Sequence, residues 1–381
     1  MKIGLVLPYN ITKGGGVKEH VLAQAAELER RGHETVIITP QPKEPYLPDD
    51  RRVVFLGTAT EFKSPLHTTP TLSASMLTDE IDTMLERERF DILHFHEPWV
   101  PVLSRQILSR SGAVNVATFH AKLPETIMSR TLTKVITPYT KPLLRHIDAF
   151  TAVSDAAAEY LLSLADVPVE IIPNGIDLPH FRKPAGLQRE AAAPKTILYV
   201  GRLEHRKGVR YLLEAFQLLQ QREPEVRLLI AGDGPDRPKL EELVGTLGLH
   251  QVEFLGFIDE ATKLQLLHTT DVFCSPAIFG ESFGIVLLEA MASGLVTVAG
   301  DNPGYESVLQ GLGKLSLINP KDASLFAHRL QLLLFDDDLR ALWQKWAKGY
   351  VRQFDYPKIV DRYEAVYERA LQQPKKPKRK R

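Results

Sequence analysis

The chain has a single cysteine among its 381 residues, Cys274. A lone thiol cannot close an internal disulfide, so a disulfide scaffold is excluded and a reducing compartment is expected. Long hydrophobic runs are missing too: no stretch approaches the ~18 apolar residues that a membrane-spanning helix requires. The first apolar segment, Ile3-Gly4-Leu5-Val6-Leu7, is far too short for a signal-peptide core. The expected location is the cytoplasm, with peripheral attachment to the inner face of the cell membrane left open. Net charge is also lacking, with 47 basic residues against 47 acidic ones, but the balance is uneven along the chain. Six cations crowd into Lys375–Arg381, and setting them aside leaves 41 basic against 47 acidic residues. Proline and the lack of apolar residues predict a disordered basic tail over 373–381. It reads either as a solubilising end or as a tether to an anionic membrane surface, at about 1 kcal/mol per cation. Base-stacking aromatics on a basic groove are absent, so no nucleic-acid partner is expected.

What is present is the makings of an α/β protein. A chain of this length suggests about two domains. Apolar runs alternate with helical patterns: strand Ile3–Leu7, helix Val17–Arg31, strand Thr35–Thr39, helix Ser73–Arg89, strand Asp91–Phe95, helix Val102–Arg110, strand Val114–Phe119, helix Leu132–Ile147 and strand Ala149–Val153. Such alternation implies a mostly parallel sheet with helices on both faces. The proline- and threonine-rich segment 41–70 yields no assignment. The expected organisation is a first Rossmann-like domain over 1–175, a polar, proline-marked linker over 176–194 and a second domain over 195–350. An aromatic-rich helix over 353–372 follows.

The most informative stretch is Gly280-Glu281-Ser282-Phe283-Gly284-Ile285, continuing through Glu289 into an apolar, alanine-rich helix. A turn opening a helix presents unpaired N–H groups and the positive end of the helix dipole, which suits phosphate. Carboxylates beside such a site repel phosphate, so Glu281 and Glu289 point to hydroxyl partners, those of a sugar and a ribose. Upstream, the strand Ile197–Val200 runs directly into Gly201-Arg202-Leu203-Glu204-His205-Arg206-Lys207-Gly208. Ligands in open α/β sheets bind outside the carboxyl ends of strands, so Arg202 and Lys207 emerge where a diphosphate would sit. In the first half, His120 ends a strand and can hydrogen-bond a sugar hydroxyl. The turn at Gly14-Gly15-Gly16 permits close backbone approach to a ligand. His94 and His96 are expected to face opposite ways along one strand. No cysteine or carboxylate cluster with ligand spacing accompanies them, so no divalent metal is called for.

The order Gly201-Arg202…Lys207-Gly208, Ala231-Gly232-Asp233-Gly234-Pro235, Asp271…Ser275-Pro276 and Glu281…Glu289 resembles the retaining glycosyltransferases of family four. Pro8-Tyr9, His94-Phe95-His96-Glu97-Pro98 and Ala117-Thr118-Phe119-His120 make phosphatidylinositol mannosyltransferases the closest likeness. The resemblance implies a GT-B fold, two facing Rossmann-like domains with a deep interdomain cleft, the last helix crossing back onto the first domain. It implies a retaining transfer of mannose from GDP-mannose to a phosphatidylinositol-like lipid or a glycan, with no tightly bound cofactor. His120, Arg202, Lys207 and Glu281 then serve catalysis. Gly15 and Gly16 meet the donor phosphate; Ile258, Glu260 and Lys263 hold the base. Ser282, Phe283, Gly284 and Ile285 offer backbone N–H groups to the diphosphate, and Glu289 holds the ribose. Tyr9 and Lys18 fall at the acceptor. Lys18 stands where those enzymes have glutamine, and the helix around Asp79–Arg89 is acidic where theirs is basic. A sugar-nucleotide 2-epimerase of the same fold stays open as an alternative.

Overall fold

The computed structural model describes residues 1–12, 15–42, 52–61, 71–74, 78–100, 102–122, 137–184 and 193–374. Of the basic tail expected at 373–381, residues 375–381 lie outside them. The chain forms two compact units, one of residues 1–175 with the C-terminal helix Tyr356–Gln372, the other Ile176–Asp355.

The first unit is built on eight strands in the order β4-β3-β2-β1-β5-β6-β7-β8. They are β1 (Lys2–Val6), β2 (Glu34–Gln41), β3 (Val53–Glu61), β4 (Thr71–Ala74), β5 (Ile92–His96), β6 (Val114–Phe119), β7 (Ala149–Ala152) and β8 (Val169–Ile171). All neighbours run parallel except β4, which is antiparallel to β3. Helices α1 (Gly16–Arg30), α2 (Thr78–Glu88), α3 (Leu103–Leu108) and α4 (Asp155–Leu164) supply the connections. Strand β1 from Ile3 onward and all of β5 and β6 are buried, as a sheet covered on both faces requires.

Chain order reverses at β1, which has β2 on one side and β5 on the other, so the ligand crevice of such a sheet opens at the carboxyl ends of β1 and β5. The C-terminal helix closes one face. Its buried residues Ile359, Val360, Tyr363, Val366, Tyr367 and Ala370 form one helical stripe against Val21, Ala25 and Leu28 of α1. Each such side chain, fully buried, contributes about 1.5–3 kcal/mol. At the rim, Arg31 bonds Asp361 at 2.6 Å and also pairs with Glu364, while His33 Nε2 lies 2.7 Å from Glu364.

Three expectations change here. The helix expected from Ser73 starts only at Thr78, because Thr71–Ala74 pairs with β3 and strand pairing overrides the local pattern. Of the helix expected over Leu132–Ile147, residues 132–136 lie outside the described residues, and Lys141–His146 is a 3-10 turn, since Pro142 removes a backbone donor. The supposed opposition of His94 and His96 was an error of parity. Residues two apart on a strand share a face, and their ring centroids are 4.3 Å apart.

The second unit carries a six-stranded, all-parallel sheet in the order β11-β10-β9-β12-β13-β14. Its strands are β9 (Thr196–Val200), β10 (Arg227–Ala231), β11 (Val252–Gly256), β12 (Val272–Ser275), β13 (Val296–Gly300) and β14 (Leu317–Ile318). This is again the doubly wound order, with its switch between β9 and β12. Its helices are α5 (Leu178–Phe181), α6 (Val209–Gln220), α7 (Arg237–Thr246), α8 (Glu260–Thr269), α9 (Ile285–Ala292), α10 (Pro303–Val308), α11 (Ala323–Phe335) and α12 (Asp337–Tyr350). Residues 176–184, read from sequence as the start of a linker, are packed structure within this unit. Asp177 caps α5, Phe181 is buried, and its carbonyl accepts from His268 Nε2 at 3.0 Å. Cys274 is buried in β12.

Candidate donor site and a buried histidine cluster

In the second unit the site is assembled by two loops leaving the neighbouring strands β9 and β12. The first turns at Gly208, whose φ of +71° and whose hypothetical Cβ, 2.0 Å from the Pro276 carbonyl, admit no side chain. This close approach brings Arg206 and Lys207 to the second loop. Lys207 Nζ and Arg206 Nη1 each lie 2.7 Å from Glu281 Oε1. Arg206 also bonds Glu204, whose other oxygen takes Arg202 at 3.0 Å. Burial alone would lower the Arg206 pKa; the charges of Glu281 and Glu204 outweigh it and raise it.

Sequence reasoning chose Lys207, which the structure sets beside Glu281, and passed over Arg206. Arg202, which it chose, is 59% exposed and reaches Glu204 alone among the described carboxylates. A signal was available: Arg206 and Lys207 are the two residues just before Gly208, the glycine that proves left-handed and forces the contact.

The Glu281 loop continues into α9, and Gly284 stands at its N-cap with φ +106°. Having no side chain, Gly284 cannot cap the turn itself, and a Cβ there would come within 2.6 Å of the Tyr305 ring. The first turn of α9 therefore presents backbone N–H groups and a helix dipole with no side-chain cap. Ser282 and Ile285 flank the turn half-buried, whereas Phe283 turns inward and packs edge-on against Phe354, 6.1 Å between centroids. Only its backbone is available to a ligand.

One turn into α9, Glu289 meets Lys263 at 3.1 Å, and Lys263 also bonds Glu260 at 2.9 Å. Burial raises the Glu289 carboxyl, with Lys263 acting against it. Glu260 is half exposed and also lies 3.3 Å from His180. Ile258 is half-buried beside it. Asp259, the other acid of this run, is occupied as the N-cap of α8, accepting from Thr262 N at 2.8 Å. Glu281 on the approach to this short helix thus meets a cation pair, and Glu289 within it meets a lysine that bridges two acids.

The first unit holds a different constellation. His96 at the end of β5 and His120 just past β6 sit at the carboxyl edge beside the switch, joined by Nδ1···Nε2 at 2.9 Å. His20 of α1 completes a group, its ring centroid 5.6 Å from that of His96 and 5.2 Å from that of His120. Burial drives all of them neutral: His20 falls to about 4, and His96 and His120, burdened also by neighbouring rings, fall well below the usual imidazole range. His94 falls to about 3, again chiefly through burial. Its partners are structural, Tyr367 Oη at 2.7 Å and Thr118 Oγ1 at 2.6 Å, so it fastens β5 to the C-terminal helix. Glu97 accepts from His120 N at 2.5 Å, and burial lifts its carboxyl to about 7.

Around this group the remaining predicted residues are more loosely held. Tyr9 is half-buried, its hydroxyl pushed up by burial and by the charge of Glu97. Lys18 lies 3.6 Å from Glu19, and Gly15 and Gly16 are exposed at the start of α1. Gly14 lies outside the described residues.

Comparison with known proteins agrees with this geometry. Residues 14–179 match the model of Glycosyltransferase Family 4, and residues 188–350 that of Glycosyl transferases group 1. The phosphatidyl-myo-inositol mannosyltransferase of Mycolicibacterium smegmatis is 34% identical over 97% of this chain and 94% of its own. That of Mycobacterium tuberculosis is 35% identical over 97% of each. The chain belongs to the family-four glycosyltransferases. Its fold is shared with a crystallised glycosyltransferase from Rickettsia africae, with a TM-score of 0.77 at 20% identity over 98% of this chain and 99% of that one. The two Rossmann-like units are those of a GT-B enzyme, and the protein is a hexosyltransferase.

Proposed function

We propose that this hexosyltransferase moves mannose from GDP-mannose, with retention of configuration, onto a phosphatidylinositol-like lipid acceptor. The observation that carries the reading is the single arm Glu281–Glu289, which ties a cation pair to one end and the Glu260–Lys263–Glu289 set to the other. A nucleoside diphosphate sugar needs those two chemistries at one site. Guanine presents adjacent N–H donors that a carboxylate such as Glu260 accepts in a fork, and Glu289 accepts from ribose hydroxyls.

Arg206 and Lys207 hold the diphosphate and meet the charge that grows on it as the glycosidic bond breaks, helped by the N–H groups at the start of α9. This adds Arg206 to the set and leaves Arg202 a peripheral cation. Glu281, held between two cations, accepts from the donor sugar. His120, a neutral imidazole, orients reactants through a hydrogen bond. The leaving phosphate oxygen takes the acceptor proton, so transfer proceeds on one face without a protein nucleophile.

The mannosyltransferase relatives support the mannosyl donor and the inositol lipid. Lys18 and the acidic residues Asp79, Glu80 and Asp82 of α2 set this chain apart at the acceptor side. The test is to incubate the protein with a panel of labelled nucleotide sugars and with phosphatidylinositol, other lipids or soluble glycans. Label passing from GDP-mannose into phosphatidylinositol is the expected result. Conversion of UDP-N-acetylglucosamine without any acceptor would replace transfer by epimerisation.

A further inference from the structure

His20, His96 and His120 come from three separate elements of the first unit, and one ring nitrogen of each lies within 4.8 Å of the others. All three rings are buried. The hydrogen bonding among them is incomplete. His96 and His120 share one contact, but both nitrogens of His20 and Nε2 of His96 find no partner among the described residues. A buried polar atom left so costs about 1–3 kcal/mol, and the three belong to two rings of this close-set group. Neither aromatic packing against Tyr363 nor the neighbouring ring edges satisfies a nitrogen lone pair.

A single cation would satisfy one lone pair on each ring at once. Zinc binds imidazole nitrogen at about 2.0–2.1 Å, which sets tetrahedral ligand atoms roughly 3.3 Å apart, within small ring rotations of the spacing here. Imidazole donors suit zinc, cobalt, nickel or copper and discriminate against magnesium and calcium, which prefer oxygen. Glu97, held against the His120 N–H with its second oxygen unpartnered, puts a carboxylate beside the cluster. His120 keeps 7% of its surface exposed, which gives a route of entry.

We infer that His20, His96 and His120 form a site for one divalent transition-metal cation, of which zinc is the reference, with a fourth position open. Such an ion is separate from any magnesium arriving on a nucleotide diphosphate. Since the proposed function gives the His120 imidazole to the reactants, a bound zinc ion should inhibit transfer. That consequence rests on the proposed function; the binding itself does not.

The test is made on the full-length protein, stripped with a chelator and titrated with cobalt(II) in the absence of any sugar nucleotide. One equivalent is expected to bind with the intense visible absorption of a four-coordinate cobalt ion, and zinc to displace it. His20→Phe keeps a ring against Tyr363 and removes a ligand; it should weaken cobalt binding by at least about 100-fold and abolish that absorption. A circular-dichroism spectrum and cooperative melting unchanged in this variant establish that it is folded, and His96→Asn gives a second reading of the same loss. Wild-type protein without the four-coordinate signal, or both variants retaining it, overturns the site. Mannosyl transfer assayed separately in chelator reports on the proposed function alone, so the two readings fail independently.

Discussion

The sites of the two units hold their polar groups by opposite means. In the second, each carboxyl group is answered by a cation: Glu281 by Arg206 and Lys207, and Glu289, which burial raises, by Lys263. In the first, the buried histidines are neutral and Glu97 is lifted toward neutrality, because no opposite charge meets them. A site made of paired ions can exchange one partner for a ligand of the same sign, as phosphate for carboxylate. A site made of neutral rings cannot hold a dianion; it can offer lone pairs and N–H groups to hydroxyls or to a cation. Under the proposed function, the difference divides the labour between leaving-group stabilisation and the orientation of neutral sugar hydroxyls.

The sharpest way to break this division is Lys207→Ala. It removes a cation that matters most as charge develops, so turnover should fall by about 10²–10³. Thermal melting should change little, because Arg206 still answers Glu281. Turnover equal to wild type would remove Lys207 from the leaving-group role.

Next in size is Glu289→Gln, which takes a charged acceptor from the ribose and the partner from Lys263. GDP affinity should weaken by about 1–3 kcal/mol, read by calorimetry. Undiminished affinity would place the ribose elsewhere.

Gly284→Ala probes the backbone of the same arm. With φ at +106° and the Tyr305 ring in the way, it should cost about 1–3 kcal/mol in chemical denaturation. A variant as stable as the wild type would mean that the turn is more adaptable than its geometry indicates.

The remaining effect is the pH response of the first unit, measured with chelator present. Below pH 6.5 the unfolded chain binds protons on His20 and His94, while the folded rings stay neutral down to about 4 and about 3. Stability should therefore rise with pH across that window, by roughly 1.4 kcal/mol per pH unit for each ring. His96 and His120, also lowered, act in the same direction. Glu97, raised to about 7, opposes them between about pH 4.5 and 7, since there the folded chain holds the extra proton. Glu97→Gln should accordingly steepen the rise. A slope unchanged in that variant would show that Glu97 titrates normally.

Much of this architecture was legible in the chain itself. Strands covered on both faces are short continuous apolar runs, so β6 was read to the residue and β5 to within one. The arm proposed to hold the donor stood out in the sequence because turn, acids and helix are contiguous between Gly280 and Glu289. What escaped was non-local or depended on direction. The strand Thr71–Ala74 exists only through its pairing with β3. Arg206 differs from Arg202 by where a loop turns, which Gly208 and the Pro276 carbonyl decide together. The histidine cluster joins positions 20, 96 and 120 through α1, β5 and β6, and a wrong parity for His94 and His96 hid half of it.

The claim that nucleotide is gripped by the paired ions of the second unit is tested most directly by titrating GDP into wild-type, Glu289→Ala and His120→Ala proteins in the calorimeter. The account predicts one site per chain, weakened by at least about tenfold in Glu289→Ala and unaltered in His120→Ala. Affinity that survives loss of Glu289 and falls with loss of His120 would contradict it.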